Sequence, residues 1–261
     1  MNYKLGRLPR AYNPSIPHMS ALLAGMTLAP PPAAVDYTLG MPADLGMMKN
    51  DSLGDCTCAA WGHAVQVWSF NGHPPMQTPS DADIETLYER ACNFDPSQTQ
   101  PDGSNPTDQG GVEQDVLTYL LNTGLDGNRL AAFVEVDPRN LDDVKRSLYQ
   151  CGVVYIGFNV PAYIVPPDVP PLSTWDWEPT GDQTIVGGHA VVLTGYDSAA
   201  KRFKARSWGV SYDMTEAFFA QFVDEVYALA DAQWITLGGI SVAGLTLPQL
   251  EDLMTALKAA A

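Results

Sequence analysis

Basic residues are scarce in this chain. Its 261 residues hold 14 Lys and Arg against 30 Asp and Glu, a formal net charge of −16. A nucleic-acid partner needs a basic face to neutralise its phosphates, and an anionic membrane surface selects the same sign, so the charge argues against both. The one basic cluster, Lys201-Arg202 with Lys204 and Arg206, alternates along a strand-like run and reads as a solvated strand face. Long apolar runs are missing too, and none reaches the eighteen or so residues of a membrane span. The nearest, Ala21 to Ala29, follows Lys4, Arg7 and Arg10 and precedes Pro30-Pro31-Pro32. That imitates a secretory signal faintly, but Pro9, Pro14 and Pro17 precede it, and a soluble protein is expected.

Cysteine is also sparse. Cys56, Cys58, Cys92 and Cys151 are too few for a disulfide scaffold in a chain of this length. Cys56 and Cys58 stand too close for a relaxed bridge, and whether Cys92 and Cys151 pair is open. Cys56, Cys58 and His63 lack the spacing of a zinc site. The Asp residues of the polar stretch 95–110 lack the spacing of a calcium loop. No metal and no cofactor is expected.

The stretch from Asn50 to Gly62 organises what is present. It is a polar, glycine-containing loop ending on Cys56, where helical spacing begins. Ala60, Ala64, Val67 and Trp68 fall four, eight, eleven and twelve residues later, on the same helix face. Asp55 is placed as the N-cap, which puts Cys56 in the first turn, where the helix dipole favours a thiolate. A thiolate attacks carbonyls. A buried, inert cysteine is the competing reading of this stretch.

Around this helix the chain divides into three parts. Residues 1–45 carry seven of the 21 prolines and no sustained periodicity, which predicts an extended arm. Helices are expected over 56–70, from the Ser80-Asp81-Ala82-Asp83 capping box, over 112–121, and from Asp137-Pro138 through Tyr149. Val153 to Phe158 reads as a buried strand. Residues 161–182 form a long loop with six prolines, in which Trp175 and Trp177 suggest a rim or contact role. A Gly187-Gly188 turn leads into a strand beginning at His189. Further strands are expected over 202–208 and 233–237, with a helix between them running from Thr215 to Val226. Thr246-Leu247-Pro248-Gln249 caps a C-terminal amphipathic helix over 240–261. Helices early and strands late predict an α+β protein with two lobes, mainly helical over 46–130 and mainly β over 131–239.

Three short stretches, in this order and spacing, carry a resemblance. They are Asn50-Asp51-Ser52-Leu53-Gly54-Asp55-Cys56-Thr57, then Gly188-His189-Ala190-Val191 after a gap of 133 residues from Cys56 to His189, then Ser207-Trp208-Gly209. Together they resemble papain-like cysteine peptidases in the form that bacteria and bacteriophages encode. The likeness covers roughly residues 46–239. It implies a papain-like two-lobe fold, with a helical lobe carrying the nucleophile helix and an antiparallel β-rich lobe carrying the histidine. It implies Cys56 as nucleophile, His189 as general base and then acid, and Asn50 as the amide of the oxyanion hole in place of a glutamine. It implies Trp208 as a shield over the histidine. One position departs from the pattern. Arg206 stands where the histidine-orienting asparagine belongs, and a guanidinium has donors only. Ser207 or a backbone carbonyl takes that role if the strand register differs by one, and otherwise His189 lacks its third member. The function so implied is a thiol hydrolase acting on polypeptides. The alternative is a papain-like fold kept as a structural or interaction module, for example in a virus particle. That module would contact a neighbouring subunit through the arm and the C-terminal helix.

Overall fold

Apolar side chains on both faces of residues 154–161 make that strand the middle of a sheet covered on both sides. The computed structural model describes residues 4–10, 13–22, 29–164 and 176–231, with Trp234, Pro248 and Asp252. Among these, the helices are α1 (Met19–Leu22), α2 (Cys56–Gly72), α3 (Asp81–Cys92), α4 (Glu113–Asn122), α5 (Leu141–Cys151) and α6 (Glu216–Phe222). The strands are β1 (Ala34–Asp36), β2 (Leu130–Glu135), β3 (Val154–Pro161), β4 (Asp176–Trp177), β5 (Ile185–Asp197), β6 (Arg202–Ser207), β7 (Val210–Thr215) and β8 (Val223–Asp231). They form one eight-stranded sheet in the order β2-β8-β3-β5-β6-β7-β4, with β1 added to β5. All neighbours pair antiparallel except β4 with β7. The fold is α+β, as expected.

Helix α2 is buried on every side from Cys56 to Ser69. A helix apolar all round belongs in the middle of a protein. It packs on β5, α3 and β6, with Trp61 and Trp68 edge to face at 5.4 Å. Gly62 lets Met48 and Ile84 close onto the helix where a Cβ would stand. The Ser80–Asp83 capping box forms with both of its reciprocal bonds.

Several elements differ from the sequence expectation. Helix α5 starts at Leu141, capped by Asn140, because Asp137 accepts the Arg139 N–H and turns the chain first. The helix after Thr215 stops at Phe222. Val223 and Val226 lie in β8, where pairing with β2 and β3 overrides their helical spacing. Gly187 and Gly188 are not a turn but lie inside β5. Trp177 is not on a rim. It is fully buried and stacks on Tyr212 at 4.7 Å. Trp175, all but Trp234 of the strand expected at 233–237 and most of the C-terminal helix lie outside the described residues. Within the stretch read as an arm, Ala34–Asp36 adds a strand to the sheet, and residues 4–10 run between the helices and the sheet. All four cysteines are free thiols. Among the described residues no helix is long and apolar enough to cross a membrane.

Candidate active site

Cys56 opens α2 and His189 is the fifth residue of β5, and these two elements pack directly on one another. The backbone of Ala190, the residue after His189, lies near enough to the Cys56 sulfur to favour its thiolate. The fold thus packs together the two elements that carry these residues, 133 positions apart in sequence.

The imidazole is fixed on one side. His189 Nε2 lies 2.6 Å from Ser207 Oγ, both buried. The Trp208 ring stacks on it at 4.3 Å and 17°, and Phe158 meets its edge. Nδ1, the other ring nitrogen, is buried and makes no hydrogen bond. Strand alternation explains why Ser207 rather than Arg206 holds the imidazole. Successive side chains of β6 point to opposite faces. Arg206 points away from the imidazole and donates to the carbonyls of Ala43 and Pro42 at 3.2 and 3.4 Å. This also corrects the reading of 201–206 as a solvated face. Arg206 is buried, Lys204 pairs with Asp36, and Arg202 pairs with Asp176 and Glu178.

The sulfur is not the thiolate that the helix dipole suggested. Burial pushes the Cys56 thiol up to about 12, and nearby Asp55 and Glu113 push it the same way. Backbone hydrogen bonds from Ala190 and Gly6 pull it back only in part. Burial and the neighbouring His63 hold the His189 imidazole down at about 3. Both partners are therefore neutral, and moving a proton from sulfur to nitrogen is strongly uphill. Asp55 makes no side-chain cap. Its carboxyl is fully buried, and burial raises it well above the usual range.

The cause of this burial is the amino-terminal segment. Lys4 N–H donates to Asn50 O at 3.2 Å, Arg7 N–H to Gly188 O at 3.1 Å, and Leu8 N–H to Gly111 O at 2.9 Å. Gly111 N–H donates back to Gly6 O at 2.8 Å. The segment is thus stitched to the helical side at Gly111 and to the sheet at Gly188. The two glycines of β5 make room for it. A Cβ on Gly187 would crowd Leu5, and one on Gly188 would stand 2.5 Å from Arg7 O. Asn50 is buried, and its amide donates to Leu53 O at 3.2 Å and to Lys4 O at 3.4 Å, so it already holds a carbonyl of the arm.

The sequence reading missed the partners that surround this pair. His63 lies on α2 two turns below Cys56, its Nδ1 2.9 Å from Gln66 Oε1. Burial takes it down to about 4. Glu113 and Glu225 meet Arg7 in the interior. The seven-residue spacing from Cys56 to His63 was a usable signal. Nothing local to Arg7 pointed to two glutamates more than a hundred residues downstream.

No family model and no curated protein matches the chain in sequence. Solved structures resemble it in fold. Xylellain, a cysteine protease from Xylella fastidiosa, is 18% identical, with a TM-score of 0.65 over 88% of this chain and 97% of that one. A procathepsin B from Trypanosoma congolense is 13% identical, with a TM-score of 0.56 over 88% and 87%. The digestive procathepsin L 3 of Tenebrio molitor larval midgut is 11% identical, with a TM-score of 0.55 over 88% and 76%. The chain has the fold of the papain-like cysteine peptidases.

Proposed function

We propose that this chain is a thiol hydrolase that cleaves polypeptides by acyl transfer through Cys56, and that its own amino-terminal segment holds it switched off. The observation that supports this best is the His189 imidazole. It is fixed by Ser207 and Trp208 beside a helix-tip cysteine, with Nδ1 left uncommitted.

With the cleft open, water and substrate replace the apolar cover, and the penalty on the thiolate–imidazolium pair falls. His189 Nδ1 takes the Cys56 proton as sulfur bonds to the substrate carbonyl carbon. The carbonyl oxygen gathers negative charge. The Asn50 amide and the unpaired backbone N–H groups that start α2 are the donors at hand to receive it. His189 returns the proton to the leaving amine, and water then hydrolyses the thioester. Ser207 accepts from the Nε2 proton throughout and so keeps Nδ1 toward sulfur. Trp208 keeps water from that bond.

The alternative of an inert interaction module drew in part on Arg206. With Ser207 at the imidazole, Arg206 no longer favours it. The test is hydrolysis of a mixed fluorogenic peptide library by the full-length chain, together with iodoacetamide labelling at mildly acidic pH. The expected result is cleavage that is lost in Cys56→Ala and kept in Cys58→Ala, with Cys56 labelled ahead of Cys58. Equal, sluggish labelling of all four cysteines without cleavage refutes the reading.

A further inference from the structure

We infer that Asp108 is a positioning residue of the cleft: its Oδ1 atom ties the loop that leads into Cys56 to the Gly110-Gly111 backbone, and so fixes where a polypeptide paired on Gly111 meets the sulfur. This deepens the thiol-hydrolase reading and rests on it.

The link runs through one oxygen and one hydroxyl. Gly54, two residues before the nucleophile, donates its N–H to Asp108 Oδ1 at 2.9 Å. Tyr88 Oη, on α3, donates to the same oxygen at 2.8 Å. That hydroxyl in turn accepts from the Gly110 N–H at 2.8 Å. The Tyr88 ring is fully buried and stacks on Phe94 at 5.0 Å, so its hydroxyl has little freedom to follow either partner. A Cβ on Gly54 would stand 3.1 Å from Asp108 Oδ1 and 3.3 Å from Leu5 O. The loop backbone is therefore pinned between the carboxylate and the arm.

The far end of the link is the edge on which the arm pairs. Gly111 N–H donates to Gly6 O at 2.8 Å, and Gly111 O accepts from Leu8 N–H at 2.9 Å. Both groups are offered to any backbone that takes the place of the arm. Moving Gly110 moves them, and moving Gly54 moves the start of α2. A single carboxylate oxygen holds the two in one register.

The polar stretch 95–110 supplies the anchor. Asn105 Nδ2 donates to Asp95 O at 2.8 Å and to Thr99 Oγ1 at 3.0 Å. Thr107 Oγ1 accepts from Asp95 N–H at 2.8 Å, and Asp108 N–H donates to Asn105 O at 3.1 Å. The loop is thus closed on itself just before Asp108. Its composition, unsuited to a calcium loop, is suited to holding this one side chain still.

Reaction between bound groups depends on their offset, and a misplacement of about 1 Å can cost about a hundredfold. Because Oδ1 accepts both bonds, geometry and not charge is what Asp108 contributes. Asparagine keeps that oxygen and alanine removes it.

The test compares two reagents on Cys56 of the full-length chain. Iodoacetamide needs only the thiol. An acetyl-tripeptidyl chloromethyl ketone, the most reactive of a set with alanine, leucine or arginine at its centre, must also pair on the cleft wall. Each rate is divided by the rate on the urea-unfolded chain, and the ratio of peptidyl reagent to iodoacetamide is taken. Release of the arm and ionisation of the thiol cancel in that ratio, as does a loss of folded protein. Asp108→Ala should lower it by at least about tenfold, and Asp108→Asn should keep it within threefold of the parent. Tyr88→Phe cuts only the Gly110 end of the link and should also lower it. The double variant Asp108→Ala/Tyr88→Phe should be little worse than Asp108→Ala, because the two act through one link. A parent ratio no greater than that of the unfolded chain, an unchanged ratio in Asp108→Ala, or a loss in Asp108→Asn as large as in Asp108→Ala overturns the inference. Peptide cleavage is read separately. Cleavage with a ratio indifferent to Asp108 keeps the hydrolase and removes the link. A ratio that follows Asp108 without any cleavage keeps the link and removes the hydrolase.

Discussion

Replacing Arg7 by alanine should unlock the nucleophile, and the structure sets the size of the effect. Arg7 is held by Glu225, by Asp224 at 2.5 Å and by Glu113 at 3.5 Å, with its own side chain 2% exposed. Removing one partner of a buried ion pair typically costs about 3–5 kcal/mol. Glu113 can relieve part of this by staying protonated, since burial already raises its carboxyl. The lower end, about 3 kcal/mol, is then the fitting figure. At about 1.4 kcal/mol per decade, the ratio of docked to undocked arm falls roughly a hundredfold. The backbone bonds of Lys4, Gly6, Arg7 and Leu8 survive the substitution, so the arm still docks, only less often.

The assay is the rate of iodoacetamide labelling at Cys56, followed by peptide mass spectrometry at neutral pH. If the thiol reacts only when the arm is away, labelling scales with the undocked fraction. It should rise by up to about two decades in Arg7→Ala, and peptide cleavage should rise with it. Arg7→Lys keeps a cation and should rise far less. Cys58 and Cys151 are internal standards. Cys58 is fully buried in the body of the protein and Cys151 partly so, and neither labelling rate should change, which separates arm release from unfolding. Labelling of Cys56 in Arg7→Ala within twofold of the parent would refute the blocking role of the arm.

Four further outcomes follow from the same geometry. Ser207→Ala leaves His189 Nε2 buried without its 2.6 Å partner. An unsatisfied buried group costs about 1–3 kcal/mol, so kcat/KM should fall by about five- to 150-fold. Arg206→Asn should restore nothing, because that side chain faces the carbonyls of residues 42 and 43. A gain in Arg206→Asn with a neutral Ser207→Ala would show that β6 has the other register. Acid should destabilise the fold through its two buried histidines, held at about 3 and about 4. The unfolded chain takes up those protons below about pH 6.5, so this stability is present above 6.5 and lost as the pH falls toward 4 and 3, by up to about 1.4 kcal/mol per pH unit for each histidine. Glu113, raised in the fold, tilts the curve the other way. The comparison is therefore between the parent and His63→Gln, whose urea midpoint should vary less steeply from pH 6.5 to 4. Equal slopes would refute it. Gly157→Ala should drive a methyl group into Arg7 and Glu113 and raise Cys56 labelling much as Arg7→Ala does.

What the sequence made legible was local or periodic. The helix starting at Cys56 showed in its spacing, and the Ser80 capping box needs only four residues. Strands β3 and β5 showed in their apolar runs, and β6 in its alternation. The order of Cys56, His189 and Ser207-Trp208 pointed to the fold. What stayed hidden depends on what lies opposite. Phe218, Phe219, Phe222, Val223 and Val226 fit a helical stripe as written, and only pairing with β3 and β2 makes the valines strand residues. Gly187-Gly188 has turn composition. It became strand interior because another stretch of backbone passes too close for side chains. The state of the thiol was misjudged for a related reason. A helix dipole is read from one element, whereas the cover that neutralises the thiol comes from a segment fifty residues upstream. The Ser207 contact was open in the sequence because choosing between positions 206 and 207 needs the register of β6 against β5, which no single strand contains.

The docked segment does not lie in the cleft as a substrate about to be cut. Arg7 pairs with Gly111 in the parallel sense, and the Gly6 carbonyl is already taken by Gly111 N–H at 2.8 Å. The approach is closer than an ordinary residue permits. A Cβ on Gly6 would collide with the carbonyl of Gly54, and one on Gly110 would collide with Gly6 O. A peptide carrying a side chain at that point is forced onto another path, one that can turn a carbonyl toward Cys56. The glycine contacts thus make the arm an uncut strap. Incubated alone, the full-length chain should keep its intact mass, and Gly6→Ala should loosen the strap and speed Cys56 labelling. Spontaneous cleavage between Lys4 and Leu8 in the parent chain, abolished by Cys56→Ala, would show that the arm binds as a substrate instead.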